Sequence, residues 1–430
     1  MRSLVRIAFL LTALGTGTVA AQGQAPQKLT LSDAETRAVE NHPQLRAAQF
    51  IADAAGQNVI EARSAYYPYA FASLTGAEAD HNSRIAAGTL NNPVIYNRYA
   101  NGVTVGQLLT DFGRTKNLVQ SSTFNAQSAQ QTVANTREDV LLQVDRAYYG
   151  VLRAQAILRV AQETVSTRQV LVNQVTVLAQ NNLKSGLDVS FANVNLAQAK
   201  LLLVQAQNDL QGAFMDLSTA MGYPDLQNFE LTEDPLPEAP PADLNDLVAE
   251  AIRQRPDLQA QRLKEEAASK FAQAENDLKL PTVSALGSAG LIPFRQNTLA
   301  SRYAAAGVNV NIPLFNGHLF SARSQEAKLK DQAEEQNVRD LQDRIGRDVR
   351  LAWWNANTAF QRLDLTAQLL DQATLALNLA EGRYNLGLSS IVELSQAQLN
   401  RTEAEIQQAS AKYDYQSLVR ALNFQLGTLR

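Results

Sequence analysis

Three histidines, His42, His81 and His318, are the first residues to test for chemistry, since imidazole is the commonest metal ligand and the usual proton shuttle near neutral pH. They are scattered without ligand spacing, and the chain has no cysteine, so no His/Cys metal site, thiol nucleophile or disulfide is expected. No glycine-rich phosphate loop, nucleophile elbow or paired-carboxylate constellation occurs either. The residues therefore point away from an enzyme and call for no cofactor and no resident metal. Polar chemistry gathers instead where two long helical patterns are broken by glycine. One break is Asn181-Asn182-Leu183-Lys184-Ser185-Gly186-Leu187, followed by Asp188; the other is Tyr384-Asn385-Leu386-Gly387-Leu388-Ser389. At both, glycine reads as the left-handed residue that ends one helix before the next begins.

The elements holding these breaks are unusually long. Residues 94–223 and 314–430 contain no proline. In the first stretch Val144, Ala147, Val151, Ala154, Leu158, Ala161 and Val165 alternate steps of three and four; in the second Val349, Trp353, Ala356, Phe360, Leu363, Ala367 and Leu370 do the same. That is a coiled-coil seam. A second seam, with Leu365, Leu369, Ala376 and Leu379, marks the neighbouring face, so each helix must pack against two others, like the staves of a hollow cylinder. The arm over 113–181 would run on the order of 100 Å.

The chain is also written twice. Leu31-Ser32-Asp33, Asn41-His42-Pro43 and Tyr67-Pro68 keep one offset to Leu244-Asn245-Asp246, Gln254-Arg255-Pro256 and Leu280-Pro281. Farther on, Tyr148-Tyr149 matches Trp353-Trp354 and Met221-Gly222 matches Leu426-Gly427, the offset being shortened by a longer polar loop in the first copy. The expected organisation is an export signal over 1–21, a first repeat over 22–232, a proline-rich extended linker over 233–242 and a second repeat over 243–430. The signal rests on Arg2, Arg6, a short apolar core and Val19-Ala20-Ala21. Each repeat opens with two short helices, 33–40 with 43–64 and 246–253 with 256–279, for which Ser32 and Asn245 are the expected N-caps. Tyr148-Tyr149 and Trp353-Trp354 are expected to pack between neighbouring helices.

Between short helices and hairpins the period changes to two. Val308, Val310 and Ile312 alternate with Gly307, Asn309 and Asn311; Val283, Ala285, Ala289 and Leu291 alternate with Thr282, Ser284, Ser288 and Gly290. Tyr99, Val103, Val105 and Leu109 alternate with Ala100, Gly102, Thr104 and Leu108. Four strands are expected over 66–75, 98–109, 281–291 and 301–312. Tyr66, Tyr67, Tyr69 and Phe71 read as an interfacial aromatic girdle, and the loop over 76–97, with Asp80, His81, Asn82, Asn91 and Asn92, as extracellular.

After the signal no apolar run approaches the ~20 residues of a membrane helix. Any membrane insertion must use strands, and four neither close a barrel nor leave their edges satisfied in lipid. Two copies would give a barrel filled by side chains; three would give a water-filled lumen. A net charge of −4 argues against a nucleic-acid partner.

Signal, duplicated helix–strand–strand–helix–helix units and glycine-tipped hairpins resemble the TolC-type outer-membrane efflux family (outer membrane factors) over essentially the whole mature chain. The most specific pieces are Ile312-Pro313-Leu314-Phe315-Asn316-Gly317, the Tyr384-x-x-Gly387 tip and the closing segment 421–429; Gln107-Leu108-Leu109-Thr110-Asp111-Phe112-Gly113 is a looser counterpart. The resemblance implies a mostly α fold with a membrane β-barrel, twelve-stranded in a homotrimer, in the outer membrane of a Gram-negative bacterium, its α-helical coiled-coil tunnel lying in the periplasm. It implies a passive exit duct for drug or metal efflux or type I protein secretion, surrounded by outer-membrane lipid and docking a periplasmic adaptor protein and an inner-membrane transporter. Absence of cysteine separates this chain from the lipid-anchored branch. The alternative that shares the heptads but needs no strands is a soluble periplasmic coiled-coil scaffold.

The resemblance assigns adaptor docking to Lys184, Ser185, Gly186, Leu187 and Asp188 in the first tip and to Asn385, Leu386, Gly387, Leu388 and Ser389 in the second. Alternatively, the glycines serve only the turns and the leucines only cap the packing. Family members narrow the tunnel with carboxylates at positions that here are Glu393 and Gln396. Three Glu393 side chains around an axis would form a negative ring favouring cations; Gln396 departs from the pattern. The alternative for Glu393 is a solvated carboxylate or one paired within its own chain. Tyr384 matches an aromatic that latches the closed state, while Phe191 and Ala192 stand where the family often has polar latch partners.

Overall fold

The computed structural model describes residues 27–84 and 94–429; the expected export signal and Asn91 and Asn92 of the long loop lie outside the described residues. The first repeat runs β1 (Gln27–Leu29), α1 (Leu31–Asn41), α2 (Pro43–Ser64), β2 (Tyr69–Ala77), β3 (Arg98–Thr110), α3 (Arg114–Gln180), α4 (Gly186–Ala220) and β4 (Phe229–Leu231). The second runs α5 (Leu244–Gln254), α6 (Pro256–Asn276), a short 3-10 turn (Asp277–Lys279), β5 (Thr282–Arg295), β6 (Arg302–Asn311), α7 (Leu319–Asn385) and α8 (Ile391–Leu426).

Pro43 and Pro256 each open a helix, where a missing N–H costs nothing. The N-caps of α1 and α5 differ from expectation. Thr30, not Ser32, caps α1, its hydroxyl accepting the Asp33 N–H while the Asp33 carboxylate accepts the Thr30 N–H. Asp243, not Asn245, caps α5, accepting the Asn245 and Asp246 N–H groups. Ser32 and Asn245 already lie in the first turn, where a cap has no free N–H ahead of it.

The duplication survives as packing. Ala34, Ala38, Val140, Val144, Val151, Leu217 and Met221 share one core; Leu247, Ala251, Ile345, Val349, Ala356, Leu422 and Leu426, their counterparts in the second repeat, share another. Gly222 (φ 84) and Gly427 (φ 72) follow α4 and α8, and a Cβ on either would strike backbone, at Asn41–His42 and Gln254–Arg255 respectively. Each repeat is thus closed by seating a left-handed glycine on the bend between its own two short helices.

The segment joining the repeats has no regular element but is strapped down. Tyr148 Oη donates to Thr232 O at 2.6 Å, Trp353 Nε1 to Pro241 O at 2.6 Å, and Tyr415 Oη to Glu238 O, while Lys412 pairs with Glu233 at 2.5 Å. Tyr148 and Trp353 therefore do more than pack between helices: their polar ends hold the strap. Trp354 remains 52% exposed.

The four long strands form one antiparallel sheet in the order β2-β3-β5-β6. Its register puts Leu74, Val103, Val105, Val283, Val308 and Val310 on one face and Ser73, Thr104, Ser284, Ser288, Asn309 and Asn311 on the other. Tyr69 and Phe71 share the small, polar face rather than the apolar one. Tyr69 lies over Gly106, and Tyr303 over Gly102 and Gly290, where an added Cβ would collide with the rings. β2 starts at Tyr69 because Tyr66 and Tyr67 turn off the end of α2, their N–H groups donating to Arg63 O and Ser64 O. Among the described residues no helix is long and apolar enough to cross a membrane.

Candidate functional site: the tips of the helical hairpins

α3 and α7 are 67 residues each, on the order of 100 Å long. Near the strands α3 is held by α6, Ser121 and Ser128 donating to Ala267 O and Ala260 O; farther down, α3 and α7 pack against α4 and α8. Just above the tips Leu171 and Val175 of α3, Leu377, Ala380 and Tyr384 of α7, and Ile391 and Leu394 of α8 form one apolar cluster, with Val189 of α4 against it. The tips are therefore terminations of a packed bundle.

Both tips end the long helix in the same way. The N–H of Leu183 donates to Leu178 O and that of Leu388 to Arg383 O, each across a left-handed residue. At the second tip that residue is Gly387 (φ 73), as expected. At the first it is Asn182 (φ 60), while Gly186 is the first residue of α4. Asparagine tolerates the left-handed region better than other side chains, so glycine was not needed there.

The next helices begin differently. Ser185 closes a full capping box: its hydroxyl accepts the Asp188 N–H at 3.2 Å and the Asp188 carboxylate accepts the Ser185 N–H at 2.9 Å. At the second tip Ser390 accepts the Glu393 N–H at 3.4 Å, but the Glu393 carboxylate turns away to Arg383, 3.2 Å from its Nε. Sequence reasoning missed Arg383; its signal was a basic residue placed across the turn from an acidic one. Gln396 is exposed and donates to Asn400 on the same helix.

Tyr384 is 2% exposed, with the Lys184 ammonium 3.8 Å from its ring centroid. Burial, and then the Asp188 carboxylate, push its phenol above the usual range, and its hydroxyl has no hydrogen-bond partner among the described residues. The structure thus joins a docking candidate of one tip to a gate candidate of the other. Ala192 is buried against Val172 and Leu196 and offers Tyr384 no polar partner. A further link, Asn195 Nδ2 to Ser395 Oγ at 2.6 Å, ties α4 to α8 and was not foreseen. Leu183, Leu187, Leu386 and Leu388 are all about two-thirds exposed or more in the single chain, so they do not cap its packing.

Toward the other end of the arms, Arg420 of α8 bridges Asp145 of α3, at 2.5 Å, and Glu35 of α1. Burial foremost, and then the neighbouring Asp145 carboxylate, push the Glu35 carboxyl up to about 7.

A sheet with one apolar and one small, polar face, carried on helical hairpins of this length, defines the subunit of an outer-membrane channel with a helical tunnel. A family model described as "Outer membrane efflux protein" matches residues 36–223 and 247–428, and the chain belongs to that family. It is similar to Outer membrane protein TolC of Salmonella enteritidis, 26% identical over 431 residues, covering 93% of this chain and 83% of that protein. Protein CyaE of Bordetella pertussis is 25% identical, over 92% of this chain and 82% of that one. Among solved structures, CusC gives a TM-score of 0.81 at 18% identity, covering 92% of both chains. The open state of the Neisseria gonorrhoeae MtrE outer membrane channel gives 0.76 at 19%, covering 93% of this chain and 89% of that one. The fold is the TolC-type one, located in the outer membrane of a Gram-negative bacterium with its helices in the periplasm; the chain is an export channel protein and not an enzyme. The soluble-scaffold alternative gives way to the sheet and to the family.

Proposed function

We propose that three copies assemble into a homotrimer with a twelve-stranded barrel, the exit duct of a tripartite export system. The observation that carries this is the two-faced sheet whose outer strands, β2 and β6, pair on one side only. Open edges in lipid leave backbone groups unsatisfied, and joining them between copies removes that cost. Twelve strands enclose a lumen where eight would be filled by side chains. The polar face then lines the lumen, and Leu74, Val103, Val105 and their neighbours face outer-membrane lipid. The β2–β3 loop, with Asp80, His81 and Asn82, opens outside the cell, at the end of the sheet away from the helices.

At the far end the four bare leucines, with Lys184, Ser185, Gly186, Asp188, Asn385, Gly387 and Ser389 around them, form the surface for a periplasmic adaptor that couples the duct to an inner-membrane transporter. Tyr384, Glu393 and Gln396 form the narrow end of the tunnel, and the cargo is a drug, a metal or a type I-secreted protein. Native mass spectrometry of the detergent-extracted protein tests the assembly. Three times the mature-chain mass is expected; a monomer or dimer as the sole species overturns it.

A further inference from the structure

Between α3 and α8, roughly 18 Å along α3 from its end at the first tip, lies a cavity of about 290 Å³ whose lining includes Glu163, Thr167, Arg168, Gln398, Arg401 and Glu405. Arg168 is only 6% exposed and has no hydrogen bond or ion pair among the described residues; its Nη1 is wholly buried without an acceptor. Arg401 reaches the same cavity, with Nη2 on Glu405 at 2.5 Å and a buried Nε that lacks any acceptor. Gln398 adds an amide whose Oε1 is also buried and unpaired. Glu163 is exposed and beyond ion-pair distance of Arg168, and the hydroxyl of Thr167 donates to its own helix at Glu163 O.

A guanidinium cannot shed its proton to escape burial. Burial lowers Arg168 to about 10, which leaves it charged at neutral pH. A buried charge without a partner is among the costliest arrangements a protein can hold. Glu405 is already engaged by Arg401, so two guanidinium groups, one from each hairpin, bring unsatisfied N–H donors to one half-open cavity. Arg401 has its counter-charge in Glu405, so it is Arg168 that is left without one.

We propose that this cavity is a binding site for a small monovalent inorganic anion of the chloride class, held between Arg168 and Arg401. The anion supplies the missing acceptor and the counter-charge of Arg168, and bridges α3 to the unpaired Nε of Arg401 on α8. It thereby staples the first hairpin to the second a few turns above the tips. The site lies within one chain and stands whether or not three chains assemble.

The test uses the purified full-length protein in detergent. Chloride replaces gluconate at constant ionic strength while the thermal midpoint is followed. The wild-type midpoint is expected to rise by a few degrees and saturate, as site binding requires, and Arg168→Gln to stay flat. Crystals grown in bromide should show anomalous density within hydrogen-bond reach of the Arg168 guanidinium. This second measurement needs only the wild type and decides the matter if the variant does not fold. A midpoint equally insensitive in both proteins, ordered water alone in the cavity, or a carboxylate of a second copy seated there would each overturn the proposal.

Discussion

The two hairpin tips meet the same geometric demand with different residues, and the difference separates structure from function. Each ends its long helix across a left-handed residue and starts the next at a serine. In the first tip the acidic residue is committed to the turn: Asp188 closes the box with Ser185. In the second, Glu393 leaves its cap and takes Arg383 instead. The first tip is a doubly capped turn that lends Lys184 to the Tyr384 ring. The second holds a half-exposed charge pair whose carboxylate takes no part in capping.

Removing the shared element should break both tips at once. Tyr384→Ala empties the cluster formed by Leu171, Val175, Leu377 and Leu394, and should cost about 3 kcal/mol, read by thermal unfolding and by protease cutting at both turns. Tyr384→Phe should be neutral or slightly stabilising, because the lost hydroxyl has no partner to strand. Lys184→Ala should cost about 1 kcal/mol alone and almost nothing in a Tyr384→Leu background, a double-mutant cycle that isolates the cation–π contact.

The glycines should then separate. Gly387→Ala forces a side chain into φ 73 and should cost about 1–2 kcal/mol, whereas Gly186→Ala, at the first helical position, should lie within about 0.5 kcal/mol of wild type. Equal costs would mean that Asn182 does not carry the first turn. Smaller still is the difference between caps: Ser185→Ala should cost about 1 kcal/mol and Ser390→Ala less, since only one of its two capping bonds is made.

A change remote from both tips should leave them alone. With its carboxyl raised to about 7 from the ordinary 4.5, Glu35 binds its proton more tightly in the folded chain than in the unfolded one. Its contribution therefore falls as pH rises from about 4.5 to about 7. Glu35→Gln should flatten that slope in thermal unfolding without altering protease resistance at the tips.

Where a period decides the structure, the residues were legible. Heptad steps located α3 and α7, and alternation located β3, β5 and β6 to within a few residues, because burial on one face repeats at each element's own spacing. Features set by partners far away in the chain were not legible. The face taken by Tyr69 and Phe71 follows from the register of β3, and the strap across Tyr148 and Trp353 from the return of the linker. The contacts of Lys184 with Tyr384 and of Arg383 with Glu393 join residues across turns whose pitch depends on which residue turns left-handed. Asn182 was overlooked in favour of the nearby glycine for that reason.

Single-channel recording of the purified protein in planar bilayers tests most directly whether the second tip lines the conducting path. In the proposed trimer three Arg383–Glu393 pairs near the axis would nearly cancel, so each half of the pair, once removed, should unmask the other. Arg383→Gln should make the channel more cation-selective, and Glu393→Gln less so, with reversal potentials moving in opposite directions from wild type and assembly unchanged. Reversal potentials identical in all three proteins, or a trimer that gives no conductance steps, would contradict it.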